Sequence, residues 1–336
     1  MEVKINKKKI FSGVQPTGNL HLGNYLGAIK NWVNLQKESD CIFCIVDLHS
    51  ITNSDQVQDL KSNTYEVLSA YIAAGIDTKK NIIFKQSSIS AHSELSWLLS
   101  CRTPIGWLNR MTQFKDKAGK NKEKASVGLY SYPILMAADI LLYKSTHVPV
   151  GDDQKQHLEL CRDIAQSFNR FYNVDFFPIP EPIISKNFSR IMSLKDGEKK
   201  MSKSDESDFS RINMNDSQEQ ILKKIKKAKT DSKNFPENEE ELSQRPEIKN
   251  LMGIYASLSK ITTKEIIKTY KNKNFSELKL DLFEIISSEL LPISKEMSKL
   301  LKDKRYLEGI LKEGQEKAFE ISEKNLKKVK EIIGLI

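Results

Sequence analysis

Cysteine is scarce in this 336-residue chain: Cys41, Cys44, Cys101 and Cys161 are all there is. Four are too few for the disulfide framework that holds small secreted domains together. Long apolar runs are missing as well. The longest, Tyr132 to Tyr143, is interrupted by Asp139 and falls well short of the roughly 20 residues that cross a bilayer, so no membrane segment is expected. The opening Met1-Glu2-Val3-Lys4 lacks the apolar stretch of a signal peptide, and the expected compartment is the cytoplasm. No internal repeat is visible, and no low-complexity tract is long enough to read as disordered. The two-residue gap between Cys41 and Cys44 invites a metal or redox reading. Both lie in a strand-like run, however, where residues three apart point to opposite faces. No second cysteine pair follows at a suitable spacing, so neither structural zinc nor an iron-sulfur cluster is expected.

What is present is a 39% hydrophobic content, enough for a real core and a smaller partner domain. The net charge of +9 comes mostly from lysine, which suits diffuse attraction to a polyanion better than bidentate base reading. A solubilising surface explains the same charge. In the first half, short β-branched or aromatic runs at Lys9–Val14, Cys41–Val46, Asn81–Lys85 and His147–Val150 alternate with helical patterns such as Leu26–Gln36 and Val57–Ala74. This alternation predicts an α/β fold with a Rossmann-like parallel sheet covered on both faces. Ligands then sit beyond the carboxyl ends of the strands, in the loops after Val14, Val46, Lys85 and Val150. From about Met214 strand signals vanish, and Ile221, Leu222, Ile225, Leu251, Ile254 and Leu258 follow helical spacing. The expected division is residues 1–212 as the sheet domain and 213–336 as a C-terminal α-helical domain. Within the latter, Asp231–Pro246 reads as an exposed connection between helices.

Two segments carry the strongest chemical signal. The loop after the first strand contains Gln15-Pro16-Thr17-Gly18 and continues to His21-Leu22-Gly23-Asn24. Its glycines permit close backbone approach, and the helix that follows offers free N–H groups to a phosphate. His21 and Asn24, three apart, share a face and offer side-chain donors to the same guest. A glycine-rich turn with His21 as a surface cap is the plainer alternative. The second segment is Lys200-Met201-Ser202-Lys203-Ser204, preceded by Asp196-Gly197, which should leave it mobile. Two lysines three residues apart make an adaptable clamp for a triphosphate whose charge shifts during bond cleavage.

Together, His-Leu-Gly-Asn and Lys-Met-Ser-Lys-Ser resemble the two signatures of class I aminoacyl-tRNA synthetases. The second is complete, and the first departs from His-Ile-Gly-His at two positions, with Asn24 in place of a histidine. Val46 to Thr52, Met111 to Lys115, Tyr132 to Tyr143 and Val148 to Gln154 add the look of the bacterial tryptophanyl-tRNA synthetase family. The resemblance runs from Ile10 onward, is dense to Asp205, and weakens in the helical region. It implies a homodimer that activates L-tryptophan with ATP and Mg²⁺, the metal carried by the nucleotide, and passes the aminoacyl group to tRNA(Trp).

For the amino acid, Asp139 and Met136 share a helix face, Pro133 being read as the first helical residue. A carboxylate in so apolar a segment is costly unless it meets a strong donor. It is expected to accept the indole N–H while Met136 packs on the ring; an Asp139 that is partly exposed, or paired to a lysine, is the alternative. By resemblance, Tyr132 and Gln154 reach the ammonium and carboxylate, and Phe11, Gly13, His49 and Val150 line the pocket. The nucleotide is expected on Gln15, Pro16, Thr17, Gly23, Asn24, Gly151, Asp152, Asp153, Ile191, Lys200, Met201, Ser202, Lys203 and Ser204. His21, Asn24, Lys200, Lys203 and Lys117 (or Lys115) stabilise charge during reaction. His157 falls in a helical packing stripe with Cys161, Ile164 and Phe168, and His92 and His147 stand alone. Lys223, Lys224, Lys226, Lys227 and Lys229 are a candidate phosphate-facing strip for tRNA, a solvated helix face being the other reading. Apolar residues between Ser90 and Arg110 are candidates for a subunit interface. The competing readings are a tyrosyl-tRNA synthetase, a nucleotidylyltransferase and a non-enzymatic RNA-binding paralogue.

Overall fold

The apolar run that begins at Lys9 becomes the central strand of a five-stranded parallel sheet. In the computed structural model, which describes residues 7–52, 59–112, 114, 125–151, 154–184, 190–203 and 205–336, β1 (Lys9–Val14) lies between β2 (Asp40–Ile45) and β4 (His147–Pro149). β3 (Ile82–Lys85) pairs with the far side of β2 and β5 (Glu181–Ile183) with β4, giving the order β3-β2-β1-β4-β5. The strand order reverses between β1 and β4, and the connections diverge there to leave a crevice at the carboxyl ends. Register explains one glycine: a Cβ on Gly13 would stand 2.6 Å from the Cys44 carbonyl oxygen. The first four strands fall within a residue or so of their expected ends. β5 gave no signal because it is a three-residue, mostly exposed edge strand built around Pro182, a residue confined to such edges for lack of an N–H.

The helices of the first half are α1 (Leu22–Asn24), which passes through a π-type turn at Tyr25–Ile29 into α2 (Lys30–Leu35), then α3 (Asp47–Ser50), α4 (Leu60–Ala73), α5 (Ala91–Ser100), α6 (Ile105–Leu108), α7 (Val127–Leu142) and α8 (Lys155–Tyr172). α7 starts earlier than expected. The Ser126 hydroxyl accepts the Leu129 N–H at 3.1 Å, a cap that fixes the start upstream. Pro133 therefore sits inside the helix, and Met136 and Asp139 keep their common face. The two faces of the sheet have separate cores. Cys41 belongs to the one with Ile10, Phe43 and Ile45, and Cys44 to the one with Phe11 and Phe84, as the alternation of a strand requires.

Beyond Ile183 the described residues first run through loops, with a short 3-10 turn at Asp208–Ser210, and then form the helices α9 (Gln218–Lys227), α10 (Glu239–Ser243), α11 (Pro246–Ser259), α12 (Thr263–Tyr270), α13 (Phe275–Leu300) and α14 (Lys304–Ile333). Capping boxes at Ser217/Gln220 and Thr262/Glu265 set two of the starts. Leu282, Ile286 and Leu307 complete the core on the Ile10 face, and Ala318, Leu326 and Val329 of α14 that on the Phe11 face. α14 packs directly on β3: a Cβ on Gly314 would lie 1.8 Å from the Ile83 carbonyl oxygen. The stretch Asp231–Pro246 is mostly exposed, as its composition suggests, but it is anchored at a few points. Phe235 and Leu242 are buried in a cluster with Ile248, Ile266 and Tyr270, and Arg245 grips Asp231 with two nitrogens at 2.6 and 2.7 Å. Two apolar side chains suffice as anchors for an otherwise exposed segment because burying each is worth about 1.5–3 kcal/mol. Among the described residues no helix is long and apolar enough to cross a membrane.

Candidate active site

A cavity of about 300 Å³ opens at the reversal point between β1 and β4. Phe11 and Gly13 reach it from β1, Val150 from just beyond β4, His49 from the short helix after β2, Tyr132, Met136 and Asp139 from α7, and Gln154 from the start of α8. These are the eight residues expected around the amino acid, and the fold brings all of them together. Gln15, expected on the nucleotide side, also lines the wall and so stands where the two compartments meet.

At the cavity floor Asp139 is not a carboxylate waiting for a single donor. Its Oδ1 accepts Gln86 Nε2 at 2.7 Å and His92 Nδ1 at 2.7 Å, and its Oδ2 accepts His49 Nε2 at 2.8 Å. Burial by itself would raise its pKa, but hydrogen bonds and charge from His49 and His92 outweigh burial and hold it below the ordinary value. His92, which the sequence leaves without a partner, is thus bound on both sides, for its Nε2 meets the Tyr143 hydroxyl at 2.9 Å. Gln86 was missed too. The signal was available: Gln86 is the first residue after β3, in one of the four loops that the parallel sheet singles out. His157 is buried, as its packing stripe implies, yet its Nε2 also shares a hydrogen bond of 2.8 Å with the Tyr132 hydroxyl. Burial pushes Tyr132 up to about 12, so the phenol stays protonated. His147 meets Thr146 Oγ1 at 2.9 Å and lies on the opposite end of β4 from the cavity.

The two signature segments face each other beside this cavity. Lys203 Nζ donates to Thr17 Oγ1 at 2.9 Å, joining positions 186 residues apart. Burial lowers the Lys203 pKa to about 8, against the pull of the Glu66 carboxylate, which itself accepts the Asn19 and Leu20 N–H groups. His21 is buried, not a surface cap, and its pKa falls to about 3 through burial and then the charges of Lys203, Arg211 and Lys200. Its ring is neutral, and Nδ1 has no hydrogen-bond partner. Asn24 turns its carbonyl inward: Oδ1 accepts the His21 N–H at 3.1 Å, so half of the expected donor group works as a helix cap. Gly23 has room for little else, since a Cβ would lie 3.0 Å from the His21 ring and 3.6 Å from Ile191. The Met201 and Ile191 side chains are in the core, and the Met201 N–H donates to the Ile191 carbonyl at 3.0 Å. Pro16 is buried, Thr17 and Ser202 half-buried, and Lys200 exposed. Gly151 is half-buried directly after the last wall residue, Val150. Lys115, Lys117, Asp152, Asp153 and Ser204 lie outside the described residues.

The loop ahead of the lysine pair is fastened rather than loose. Asn250 of α11 brackets Met192, accepting its N–H and donating to its carbonyl, both at 2.9 Å. Gly197 is needed for close approach, because a Cβ there would lie 2.3 Å from the Pro246 carbonyl carbon. The lysine strip is also corrected. Lys224 is buried, with its ammonium 2.6 Å from Asp216 and 2.7 Å from Asp208. Lys223 pairs with Glu219 and Lys229 with Glu247, at 2.7 Å each; Lys227 lies over the Phe209 ring, and Lys226 is exposed. Lys223, Lys226 and Lys227, at i, i+3 and i+4 of α9, share one exposed face, Lys224 turns inward from it, and Lys229 lies beyond the end of the helix. Arg211, unremarked in the sequence, is held between Asp208, Asn213 and the Asp205 carbonyl, close enough to His21 to shift its pKa.

A crevice at the reversal point of a parallel sheet, flanked by a His-x-Gly helix start and a lysine pair, is the site architecture of class I synthetases. Residues 4–290 match the family of class I tRNA synthetases for W and Y. A tryptophan–tRNA ligase of Brucella melitensis is 52% identical over 98% of both chains. Tryptophanyl-tRNA synthetase from Mycoplasma pneumoniae superposes with a TM-score of 0.86 at 33% identity, covering 98% of each chain. The enzyme from Campylobacter jejuni, solved with ADP and tryptophan, gives 0.80 at 32% identity over 97% of this chain and 99% of that one. The chain belongs to the class I tRNA synthetases, in the branch of the tryptophan–tRNA ligases.

Proposed function

We propose that the chain ligates L-tryptophan to tRNA(Trp) in two steps at the expense of MgATP. The observation that carries this is the junction just described: an apolar cavity with a buried carboxylate opens, through Gln15, onto the loop that Lys203 ties to Thr17. Tryptophan fills the cavity with its indole N–H on the last open position of Asp139 and its ring on Met136. Tyr132 and Gln154 hold the ammonium and carboxylate end, with Phe11, Gly13, His49 and Val150 as walls. A carboxylate oxygen then attacks the α-phosphorus, the bond to the bridging oxygen breaks, and magnesium pyrophosphate leaves with tryptophanyl-adenylate retained. No enzyme nucleophile is needed. Lys203 and Lys200 draw the negative charge that builds on the departing phosphates, and His21, Asn24 and the backbone around Gln15–Thr17 and Gly23 position the chain of phosphates. Lys117 is the further cation in this reading, and Gly151 to Asp153 take the ribose.

In the second step the terminal 2′-hydroxyl of tRNA attacks the adenylate carbonyl. Residues 1–212 carry the chemistry and 213–336 receive the anticodon end. Lysines 223, 226 and 227 remain candidates for phosphate contact, while Lys224 is withdrawn by its burial. A homodimer fits the exposure of Trp97 (70%), Ile105 (68%) and Phe171 (57%) on neighbouring helices, since large apolar groups so placed favour a partner surface. The cytoplasm is the compartment in which tRNA and ATP are both at hand. Pyrophosphate exchange with each amino acid in turn, followed by charging of tRNA, tests the proposal; exchange that is not selective for tryptophan refutes it.

A further inference from the structure

An ionised carboxylate has about four acceptor positions. At Asp139 three are filled by the protein: both on Oδ1, by Gln86 and His92, and one on Oδ2, by His49. Gln86 and His92 are fully buried and do not line the cavity, whereas His49 and Asp139 do. The donors on Oδ1 are themselves fixed. The Leu48 N–H donates to Gln86 Oε1 at 3.1 Å, which orients the amide so that its nitrogen faces Asp139. His92 gives its Nδ1 proton to the carboxylate and receives the Tyr143 hydroxyl at Nε2. Tyr143 in turn stacks on Phe11, a wall of the cavity, at 5.6 Å between ring centres.

We propose that Gln86 and His92, the latter held by Tyr143, are positioning residues for amino-acid specificity: they lock the Oδ1 edge of Asp139 so that a single acceptor position on Oδ2 is presented to the cavity. The inference rests on the tryptophan reading of the site and deepens it. A ring with one N–H donor completes the carboxylate. A ring of the same shape without that donor leaves a buried acceptor unpaired, and loss of the lock lets the carboxylate rotate and blunts the difference.

The test compares tryptophan with its benzothienyl analogue, in which sulfur replaces the indole N–H, in ATP–pyrophosphate exchange. His92→Asn keeps a donor at the place of Nδ1, and His92→Leu removes it. His92→Leu should raise the KM for tryptophan by about 10- to 100-fold, the value of a hydrogen bond to a charged group, while the KM for the analogue moves less than about threefold and discrimination collapses accordingly. His92→Asn should recover most of the loss, with the KM for ATP unchanged in both. Equal losses in the Asn and Leu variants, or parallel losses with both amino acids, would mean that His92 only supports the fold and would overturn the proposal. If His92→Leu does not fold, Tyr143→Phe, which keeps the stacked ring, carries the test: a selective rise in tryptophan KM supports the lock, and an unchanged KM overturns it. Wild-type enzyme that fails to activate tryptophan refutes the underlying reading and takes the lock with it, an outcome visible before any variant is compared.

Discussion

Replacing Lys203 by methionine keeps the length of the side chain and removes its ammonium. In the structure that ammonium is half-buried, spans from the lysine pair to Thr17 at 2.9 Å, and has a pKa lowered to about 8. A preorganised donor aimed at developing charge is worth about 2.7–4 kcal/mol, or a factor of about 10² to 10³ in rate. Tryptophan-dependent ATP–pyrophosphate exchange should fall by that factor, while tryptophan binding, followed by calorimetry, stays within about threefold because Lys203 does not line the cavity. The sign of the pH effect follows from the same geometry. Below pH 8 the ammonium is charged and ready for phosphate; above it the free enzyme loses that charge, so kcat/KM for ATP should decline through pH 8. Bound triphosphate favours the charged form, so the decline in kcat should set in at higher pH. Free-enzyme and complex profiles report these two states separately. His21, lowered to about 3, contributes nothing in this window. In Lys203→Arg the charge persists across the range and the limb near pH 8 should vanish. A flat wild-type profile between pH 7 and 9, or a methionine variant within about threefold of wild type in exchange, would refute the clamp.

Asp139→Asn should raise the tryptophan KM about 10- to 100-fold, the worth of a charge-assisted hydrogen bond, with ATP kinetics little changed; unaltered tryptophan kinetics would remove Asp139 from the site. Lys224→Met strands Asp216, which is as buried as the lysine itself, and should cost about 3–5 kcal/mol in urea unfolding while leaving the salt dependence of tRNA binding as it was. Gly314→Ala should destabilise by more than about 3 kcal/mol, the upper end for overpacking, because its methyl group would overlap the Ile83 carbonyl; a normal melting temperature would show that α14 can move off β3. On the proposed homodimer, Trp97→Glu should shift the protein from dimer to monomer in sedimentation without lowering its melting temperature in the monomeric form, as expected for a side chain 70% exposed in one chain.

Much of this was written locally. β1 and β2 follow from apolar and aromatic runs and α7 from an apolar stretch whose start at Ser126 the sequence left hidden, and the two signature segments are contiguous, so their chemistry is legible without a fold. The family resemblance pointed to Phe11, Gly13, His49, Tyr132, Val150 and Gln154 as cavity residues and helix spacing to Met136 and Asp139, while the parallel sheet explains why those at strand ends converge. What remained hidden depends on who meets whom across long separations. Nothing adjacent to His92 or Gln86 indicates that both donate to a carboxylate some fifty positions away, and Lys224 reads as one more surface lysine until Asp216 and Asp208 close around it. Asp139 shows the division most plainly. Its sequence neighbours demand a partner, since a charge among apolar residues must be compensated, but only packing of α3, α5 and the loop after β3 against α7 determines that three of the partners are the protein's own and one position is left over.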